Sequence, residues 1–123
     1  MLRTLTLSSL LVAGLAFPAY AQSAASIAGT YAYTGTETDG TPYESAGTLV
    51  VSQEKSGALG VKWDGGDYVG VGQVTGNIFA VAAVAEGKNT IMLMTINPDG
   101  TLQGPWWRRT DPGSKGTEAW KKK

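Results

Sequence analysis

Apolar and polar residues alternate along most of the chain after residue 26, and no stretch there places apolar residues at helical spacing over three turns. A period of two puts successive side chains on opposite faces of a strand, so this pattern predicts an all-β domain. We predict eight strands in this part of the chain. Their expected bounds are Gly29–Gly35, Tyr43–Gln53, Ala58–Trp63, Tyr68–Val74, Ile78–Val84, Thr90–Asn97, Thr101–Trp107 and Gly116–Lys121.

Short glycine-containing segments separate the predicted strands. Such segments accept the positive φ angles of tight hairpin turns, so strands that are neighbours in sequence are expected to pair antiparallel. The longest connection is expected at Arg108–Lys115, which contains Pro112 and Gly113 and is predicted to be the most mobile loop. The other predicted turns are Asp39-Gly40, Ser56-Gly57, Asp64-Gly65-Gly66, Gly76-Asn77, Glu86-Gly87 and Asp99-Gly100.

Within the strands, the large apolar residues fall into sets that can face one core. Glycine inside a strand is destabilising unless the sheet bends there or another group approaches closely. Eight short strands of this kind close most simply into a small antiparallel up-and-down barrel of the calycin-like type, which also removes exposed sheet edges. An open sandwich of two four-stranded sheets is the alternative. The expected core sets are Leu49 and Val51; Leu59, Val61 and Trp63; Val69 and Val71; Phe79 and Val81; Met92, Met94 and Ile96; and Leu102 and Trp106.

The first 21 residues have the pattern of a signal peptide. Arg3 gives a short positive region, Leu5–Phe17 is mostly apolar, and a small-x-small motif ends at Ala21. We therefore expect residues 1–21 to be a signal-peptide helix cleaved between Ala21 and Gln22, and residues 22–123 to form one β-barrel domain. The apolar run is shorter than the roughly 20 residues that span a bilayer. The mature chain is thus expected to be exported, periplasmic or secreted, with no stable membrane anchor.

Histidine and cysteine are both missing from the 123 residues, whereas glycine occurs 17 times. Without cysteine the chain has no disulfide, and without histidine it lacks the commonest general base and metal ligand. Two carboxylate pairs, Glu37 with Asp39 and Asp64 with Asp67, lie at predicted polar turns, where carboxylates are normally ionised and hydrated. We therefore predict a non-enzymatic protein with no catalytic residues, no metal site and no cofactor.

Acidic and basic residues number ten each, but they are unevenly distributed along the chain. Residues 22–100 contain eight acids and three lysines, whereas residues 101–123 contain six bases and two acids. The basic end is either a contact for an anionic partner or a solvated terminal tail. An acidic main part and an exported address predict that nucleic acid is not a partner.

Aromatic and arginine residues form the clearest candidate surface for a macromolecule. Trp106 and Trp107 are neighbours on one predicted strand, so one faces inward and the other outward. Arg108 and Arg109 follow directly, and Trp with Arg is the composition enriched at binding hot spots. Our first hypothesis is that the outward one of the two, Trp106 or Trp107, binds an extracellular protein or glycoprotein together with Arg108, Arg109 and the Arg108–Lys115 connection.

A second hypothesis places a small apolar or sugar-like ligand inside the barrel. It requires an enclosed void of about 300 Å³ or more, the lower end of usual pockets, and a tightly filled interior would remove it. Trp63 is also in phase with Leu59 and Val61, which favours a core role for it. A structural envelope protein with no soluble ligand is a further alternative. The candidate pocket residues are Tyr31, Tyr33, Trp63, Tyr68, Phe79 and Met92.

Several short motifs resemble those of small exported bacterial proteins labelled fibronectin-binding protein. They are Ala28-Gly29-Thr30-Tyr31, Asp39-Gly40-Thr41-Pro42-Tyr43, Val61-Lys62-Trp63, Tyr68-Val69-Gly70-Val71-Gly72, Gly76-Asn77, Asp99-Gly100-Thr101-Leu102-Gln103-Gly104-Pro105-Trp106 and Gly116-Thr117-Glu118. The resemblance implies adhesion to fibronectin or another matrix glycoprotein and supplies no catalytic residues. The first motif is also similar to the Gly-x-Trp start of lipocalin and avidin barrels and of small barrel inhibitors of bacterial proteases. Tyr31 replaces that Trp, and the inhibitors' cysteine pair is missing here.

Overall fold

A computed structural model describes residues 27–123, so the predicted signal peptide and its cleavage between Ala21 and Gln22 lie outside the described residues. The described part is almost entirely β-structure, as the alternation predicts. It contains no helix long and apolar enough to cross a membrane. Its strands are β1 (Gly29–Thr36), β2 (Gly47–Gln53), β3 (Leu59–Trp63), β4 (Tyr68–Thr75), β5 (Ile78–Ala85), β6 (Lys88–Ile96), β7 (Leu102–Arg108) and β8 (Asp111–Lys122).

The eight strands form one closed antiparallel barrel in which each strand pairs with its neighbours in sequence. Closure comes from β1 and β8, which pair from Tyr31 with Lys122 to Thr36 with Thr117. The up-and-down barrel predicted from the sequence is therefore confirmed, and the open sandwich is excluded. The basic end of the chain is not a solvated tail, because Lys121 and Lys122 belong to β8.

Alternate residues of every strand point inward and fill the closed end of the barrel. Trp120 lies among the aromatic core residues, with its ring 5.8 to 6.1 Å from the rings of Tyr31, Trp63 and Phe79. The Tyr31 hydroxyl donates to the carbonyl of Ile27 at 2.7 Å, which holds the chain before β1 against this end. The buried apolar residues are Ile27, Tyr31, Leu49, Val51, Leu59, Val61, Trp63, Phe79, Val81, Met92, Met94, Ile96, Leu102, Trp106 and Trp120.

One predicted core set is wrong. Val69 and Val71 are 46% and 52% exposed, and it is Gly70 and Gly72 of β4 that face inward. A Cβ atom on Gly72 would lie 2.3 Å from the carbonyl oxygen of Ala80 and 2.7 Å from the Phe79 ring. The inward face of β4 is therefore occupied by glycine because large side chains of β5 already fill the space beside it.

The longest connection is also misplaced by the sequence pattern. It lies between β1 and β2, at residues 37–46, whereas most of Arg108–Lys115 belongs to the β7–β8 hairpin. Within that hairpin, pairing shifts from Trp106 with Gly116 to Arg108 with Asp111, so the extra residues form a β-irregularity rather than a loop. The start of β2 is at Gly47, since Tyr43 instead donates its backbone N–H to Gly35 at the end of β1.

Two kinds of glycine turn close the hairpins as predicted. Glu86 and Gly87 have φ angles of 55° and 71°, which is the geometry of a type I′ turn. The Asp-Gly-Thr segments at residues 39–41 and 99–101 form matching turns in which the aspartate side chain accepts a hydrogen bond from the threonine N–H. These local interactions fix where each strand ends.

Gly104→Ala should destabilise the barrel because its Cβ would lie 1.9 Å from the backbone oxygen of Leu93. We expect a loss of about 1 to 3 kcal/mol in the free energy of unfolding, as for other overpacked positions. Gly113→Ala is the matched control, since its Cβ would have no neighbour closer than 4.0 Å. Urea denaturation of both variants tests this, and equal stability would contradict the close approach of β7 to β6.

Candidate functional site

A cavity of about 230 Å³ opens at one end of the barrel, above the packed core. The connections at this end are residues 37–46, 64–67, 86–87 and 109–110. We call this space the mouth cavity. Its volume equals that of about eight molecules of liquid water.

The mouth cavity combines aromatic walls with an excess of carboxylates. Five aromatic residues and five acidic residues line it, but Arg108 is its one basic residue among those described. The full lining is Tyr33, Glu37, Tyr43, Glu44, Ser45, Trp63, Asp64, Tyr68, Ala83, Ala85, Glu86, Thr90, Met92, Trp106, Arg108 and Glu118.

Glu118 on β8 lies at the base of the cavity and is only 8% exposed. Its Oε1 accepts the indole N–H of Trp63 at 3.1 Å and that of Trp120 at 2.8 Å, and its Oε2 accepts the hydroxyl of Tyr43 at 3.0 Å. Burial raises the pKa of the Glu118 carboxyl, while the hydrogen bonds from the three donors oppose this shift. The residue is thus a desolvated carboxyl whose three hydrogen-bond donors are all uncharged.

The position of Tyr43 depends on the missing side chain of Gly35. A Cβ atom on Gly35 would lie 2.8 Å from the Tyr43 ring and 3.0 Å from Glu118 Cγ. Because Gly35 lacks that atom, the loop before β2 can fold over the barrel end and bring the hydroxyl to the carboxylate. Burial, and then the charge of Glu118, raise the pKa of Tyr43.

Tyr33 and Asp64 form a second hydrogen-bonded pair at the cavity wall. The Tyr33 hydroxyl donates to Asp64 Oδ2 at 2.5 Å, and Asp64 Oδ1 accepts the backbone N–H of Thr48 at 3.2 Å. Asp64 reaches this place from a left-handed turn position with a φ of 53°. Burial, and then the hydrogen bond to Asp64, raise the pKa of Tyr33. The hydrogen bonds of Asp64 to Tyr33 and to the backbone hold both groups of the pair in position.

Two hydrogen-bond donors in the cavity wall have no matching acceptor. The guanidinium of Arg108 lies 5.4 Å from the centre of the Trp106 ring and contacts Glu86 at 3.4 Å through Nη2, whereas its Nη1 is buried without a partner. Trp106 is 6% exposed, and its Nε1 makes no hydrogen bond of normal geometry. A hydrogen-bond interaction of Trp106 with the Tyr43 hydroxyl nevertheless lowers the pKa of Tyr43, against the larger opposing effects of burial and the charge of Glu118. Buried donors without acceptors are costly, so these two atoms indicate a place for an acceptor from outside the chain.

The six residues proposed for an internal pocket divide between the cavity and the core. Tyr33, Trp63, Tyr68 and Met92 line the mouth cavity. Tyr31 and Phe79 are not in the lining, because both pack against Trp120 at the closed end. Trp63 belongs to both the core and the cavity lining, since its ring packs on Trp120 and its N–H donates to Glu118.

The four residues proposed for a partner surface are also divided, because β7 alternates its side chains. Trp106 and Arg108 line the mouth cavity, whereas Trp107 and Arg109 border a shallow groove on the outside with Asn89, Ile91 and Pro112. Arg108 also contributes to this groove. Trp107 is therefore the outward tryptophan and Trp106 the inward one.

An apolar band crosses the outer surface of four strands. Val71 pairs with Ala82, Ala82 with Ile91, and Ile91 with Trp107, so the four side chains form one row. Beside this row lie further exposed apolar residues, namely Val69, Val84 and Leu93. We call these seven residues the outer band. Contiguous apolar surface of this kind is typical of interaction sites.

No protein-family model and no curated protein matches the chain. Among solved structures the barrel is similar to a redesigned β-barrel, with a TM-score of 0.65 and 20% sequence identity over 84% of this chain and 96% of that chain. At this identity the likeness shows the fold alone, which is a closed eight-stranded antiparallel barrel. The resemblance to fibronectin-binding proteins stays a prediction.

The mouth cavity offers carboxylate oxygens, hydroxyls, two N–H donors and aromatic rings to a molecule that enters it. Across residues 27–123, no group of three or more acidic residues is placed to hold a metal ion. Glu118, Tyr43 and Arg108 were not among the pocket residues expected from the sequence. For Glu118 a signal was present, because it shares the inward phase of β8 with Trp120 and is the carboxylate on that face.

Glu118→Ala should lower the free energy of unfolding by about 2 to 4 kcal/mol, because two buried indole N–H groups lose their acceptor. Glu118→Gln should fold with near wild-type stability, since its amide oxygen still accepts both N–H groups. Urea denaturation of the purified variants measures both effects. Equal losses for Ala and Gln would contradict the hydrogen-bonding role.

The same Glu118→Gln variant tests the raised pKa of the carboxyl. The folded state binds the proton more tightly than the unfolded state, so this favourable contribution is present at low pH and disappears as the pH rises through the folded pKa. Relative to Glu118→Gln, the wild type should therefore lose stability as the pH rises from about 4, near the pKa of an unfolded glutamate, through the raised pKa of the folded state. A difference that stays constant over this range would contradict the shift.

Proposed function

We propose that this protein is a non-enzymatic, exported binding protein that holds a small organic molecule in the mouth cavity. The observation that carries the proposal is the pair of buried donors, Arg108 Nη1 and Trp106 Nε1, which have no acceptor at normal hydrogen-bond geometry in an aromatic-walled space. Barrel mouths are common ligand sites, and a few placed polar groups among apolar walls are typical of them.

The division between packed core and open cavity supports this proposal. At the closed end the interior is filled, with Leu49, Leu59 and Phe79 fully buried. Space remains at the mouth, where small Ala83 and Ala85 of β5 form part of the wall. A ligand inside the barrel was expected to require an enclosed void of about 300 Å³ or more. The mouth cavity is smaller than this and is open at one side. The proposed ligand is accordingly a small molecule bound at the rim, not one enclosed along the barrel axis.

Native mass spectrometry of the protein purified from its own host tests both the export and the ligand. We expect the mass of a chain that begins at Gln22, together with one bound molecule of low mass. Ala83→Leu should abolish this adduct, because the larger side chain enters the cavity.

Ala82→Leu is the matched control, since Ala82 is the next residue on β5 and is exposed on the outside of the barrel. It should retain the adduct. The thermal midpoint of each variant shows whether it is folded. An adduct that Ala83→Leu keeps, or a wild-type protein without any adduct, would contradict ligand storage in the cavity.

A second candidate function is adhesion to a protein partner through the outer band. The row formed by Val71, Ala82, Ile91 and Trp107 gives it an apolar centre, and Arg109 adds a cation at one edge. Trp and Arg are enriched at binding hot spots. The resemblance to fibronectin-binding proteins makes fibronectin the first partner to test.

Ile91→Asp and Trp107→Ala should each weaken binding to immobilised fibronectin about tenfold or more, measured by surface plasmon resonance, if the outer band carries adhesion. Val50→Asp is the control, because Val50 is 42% exposed, like Ile91 at 53%, but is separated from the band by Lys62. Equal effects at all three positions, or no binding by the wild type, would reject this surface as a fibronectin site.

A further inference from the structure

We infer that the molecule taken by the mouth cavity is a small organic ammonium ion that carries a hydrogen-bond acceptor at its other end. This inference rests on the proposed function and names its ligand class. It follows from the charges of the wall, from its aromatic rings and from the two donors that lack acceptors.

The charges of the wall favour a cation. Glu37, Glu44, Asp64, Glu86 and Glu118 face one arginine, and that arginine already contacts Glu86. A concave site lined mainly by one sign of charge concentrates ions of the opposite sign. An anionic ligand would meet repulsion from this wall, while an ammonium group would be attracted to it.

Glu118 and the aromatic rings define where the ammonium group would bind. Three neutral donors hold the carboxyl and occupy two acceptor positions on Oε1 and one on Oε2, so Oε2 retains an acceptor position. The rings of Tyr33, Tyr68 and Trp63 belong to the same wall. An ammonium group beside Glu118 would thus meet a carboxylate within an aromatic-lined space, the combination that binds organic cations.

Trp106 and Arg108 define where the hydrogen-bond acceptor of the ligand would bind. Trp106 is more than nine-tenths buried and lines the cavity, yet its N–H has no hydrogen bond of normal geometry. Arg108 Nη1 is likewise buried without a hydrogen-bond partner, and its guanidinium lies beside the Trp106 ring. A hydroxyl or carbonyl oxygen of the ligand would satisfy these donors, and it would do so without adding a second negative charge to an acidic wall.

Four probe molecules of similar size separate these requirements by isothermal titration calorimetry. Tyramine has an ammonium group and a phenolic oxygen, tyrosol replaces the ammonium by a neutral hydroxyl, 4-hydroxyphenylacetate replaces it by a carboxylate, and phenethylamine lacks the phenolic oxygen. We expect tyramine to bind about tenfold more tightly than tyrosol and phenethylamine, and 4-hydroxyphenylacetate to bind most weakly.

Matched variants then assign each end of the ligand. Glu118→Gln keeps the acceptor for both indoles but removes the charge, so it should lower tyramine affinity about tenfold and leave tyrosol affinity within about twofold. Glu54→Gln, at an exposed turn between β2 and β3 at the other end of the barrel, should change neither affinity. Arg108→Met should reduce the ratio of tyramine affinity to phenethylamine affinity, because one of the two donors to the ligand's oxygen is lost while the ammonium site remains.

The outcomes distinguish this inference from the proposed function. Tyrosol or 4-hydroxyphenylacetate binding as tightly as tyramine, or no binding of either amine at millimolar concentration, would overturn the ammonium assignment. Equal losses of tyramine and tyrosol affinity in Glu118→Gln would overturn it as well, because they would show a structural effect. In all these cases the adduct in the host-purified protein still decides whether the cavity holds another ligand.

Discussion

Closing eight strands into one barrel leaves little space inside, and the fit of large aromatic side chains to that space governs the rest of the molecule. Trp120 lies among the rings of Tyr31, Trp63 and Phe79. Glycine is required on the facing strand, since a Cβ at Gly72 would lie 2.7 Å from the Phe79 ring. The interior is therefore an interlocked set of large rings and bare backbone, as expected for a small barrel filled by its side chains.

The polar base of the cavity is built directly on this core. Two of the core indoles, Trp63 and Trp120, need acceptors for their buried N–H groups, and Glu118 supplies one oxygen to both. The third donor, Tyr43, comes from a loop that covers the same end of the barrel. The carboxylate thus satisfies the core and at the same time presents a desolvated acceptor to the cavity. The structural role and the proposed recognition role thus fall on one residue, and this is why its charge and its hydrogen bonds must be separated by different substitutions.

Strand β7 contributes residues to both candidate binding sites, the mouth cavity inside the barrel and the outer band on its surface. Its alternation sends Trp106 and Arg108 to the mouth cavity, and Trp107 to the outer band. The Arg108 guanidinium lies near the face of Trp106. A ligand in the cavity and a partner on the band would consequently contact adjacent residues of the same strand. Trp106 and Trp107 belong to only one place each, so each of these two can be substituted without removal of the other place.

The sequence by itself determined the all-β class, the antiparallel meander, most turns and most of the inward phases, because period-two alternation and glycine turns are local properties of the chain. It left the choice between a closed barrel and an open sandwich to the structure. It did not determine which residues of β4 face inward. Gly70 points into the barrel and Val69 points outward because Phe79 and Val81 of the neighbouring strand occupy the interior space beside β4. Nor did it indicate that Tyr43 leaves the predicted strand to reach Glu118, 75 residues away. Only barrel closure brings β8 beside β1 and sets the indoles, the carboxylate and the arginine around one space, and contacts between residues so distant in sequence leave no periodic signal.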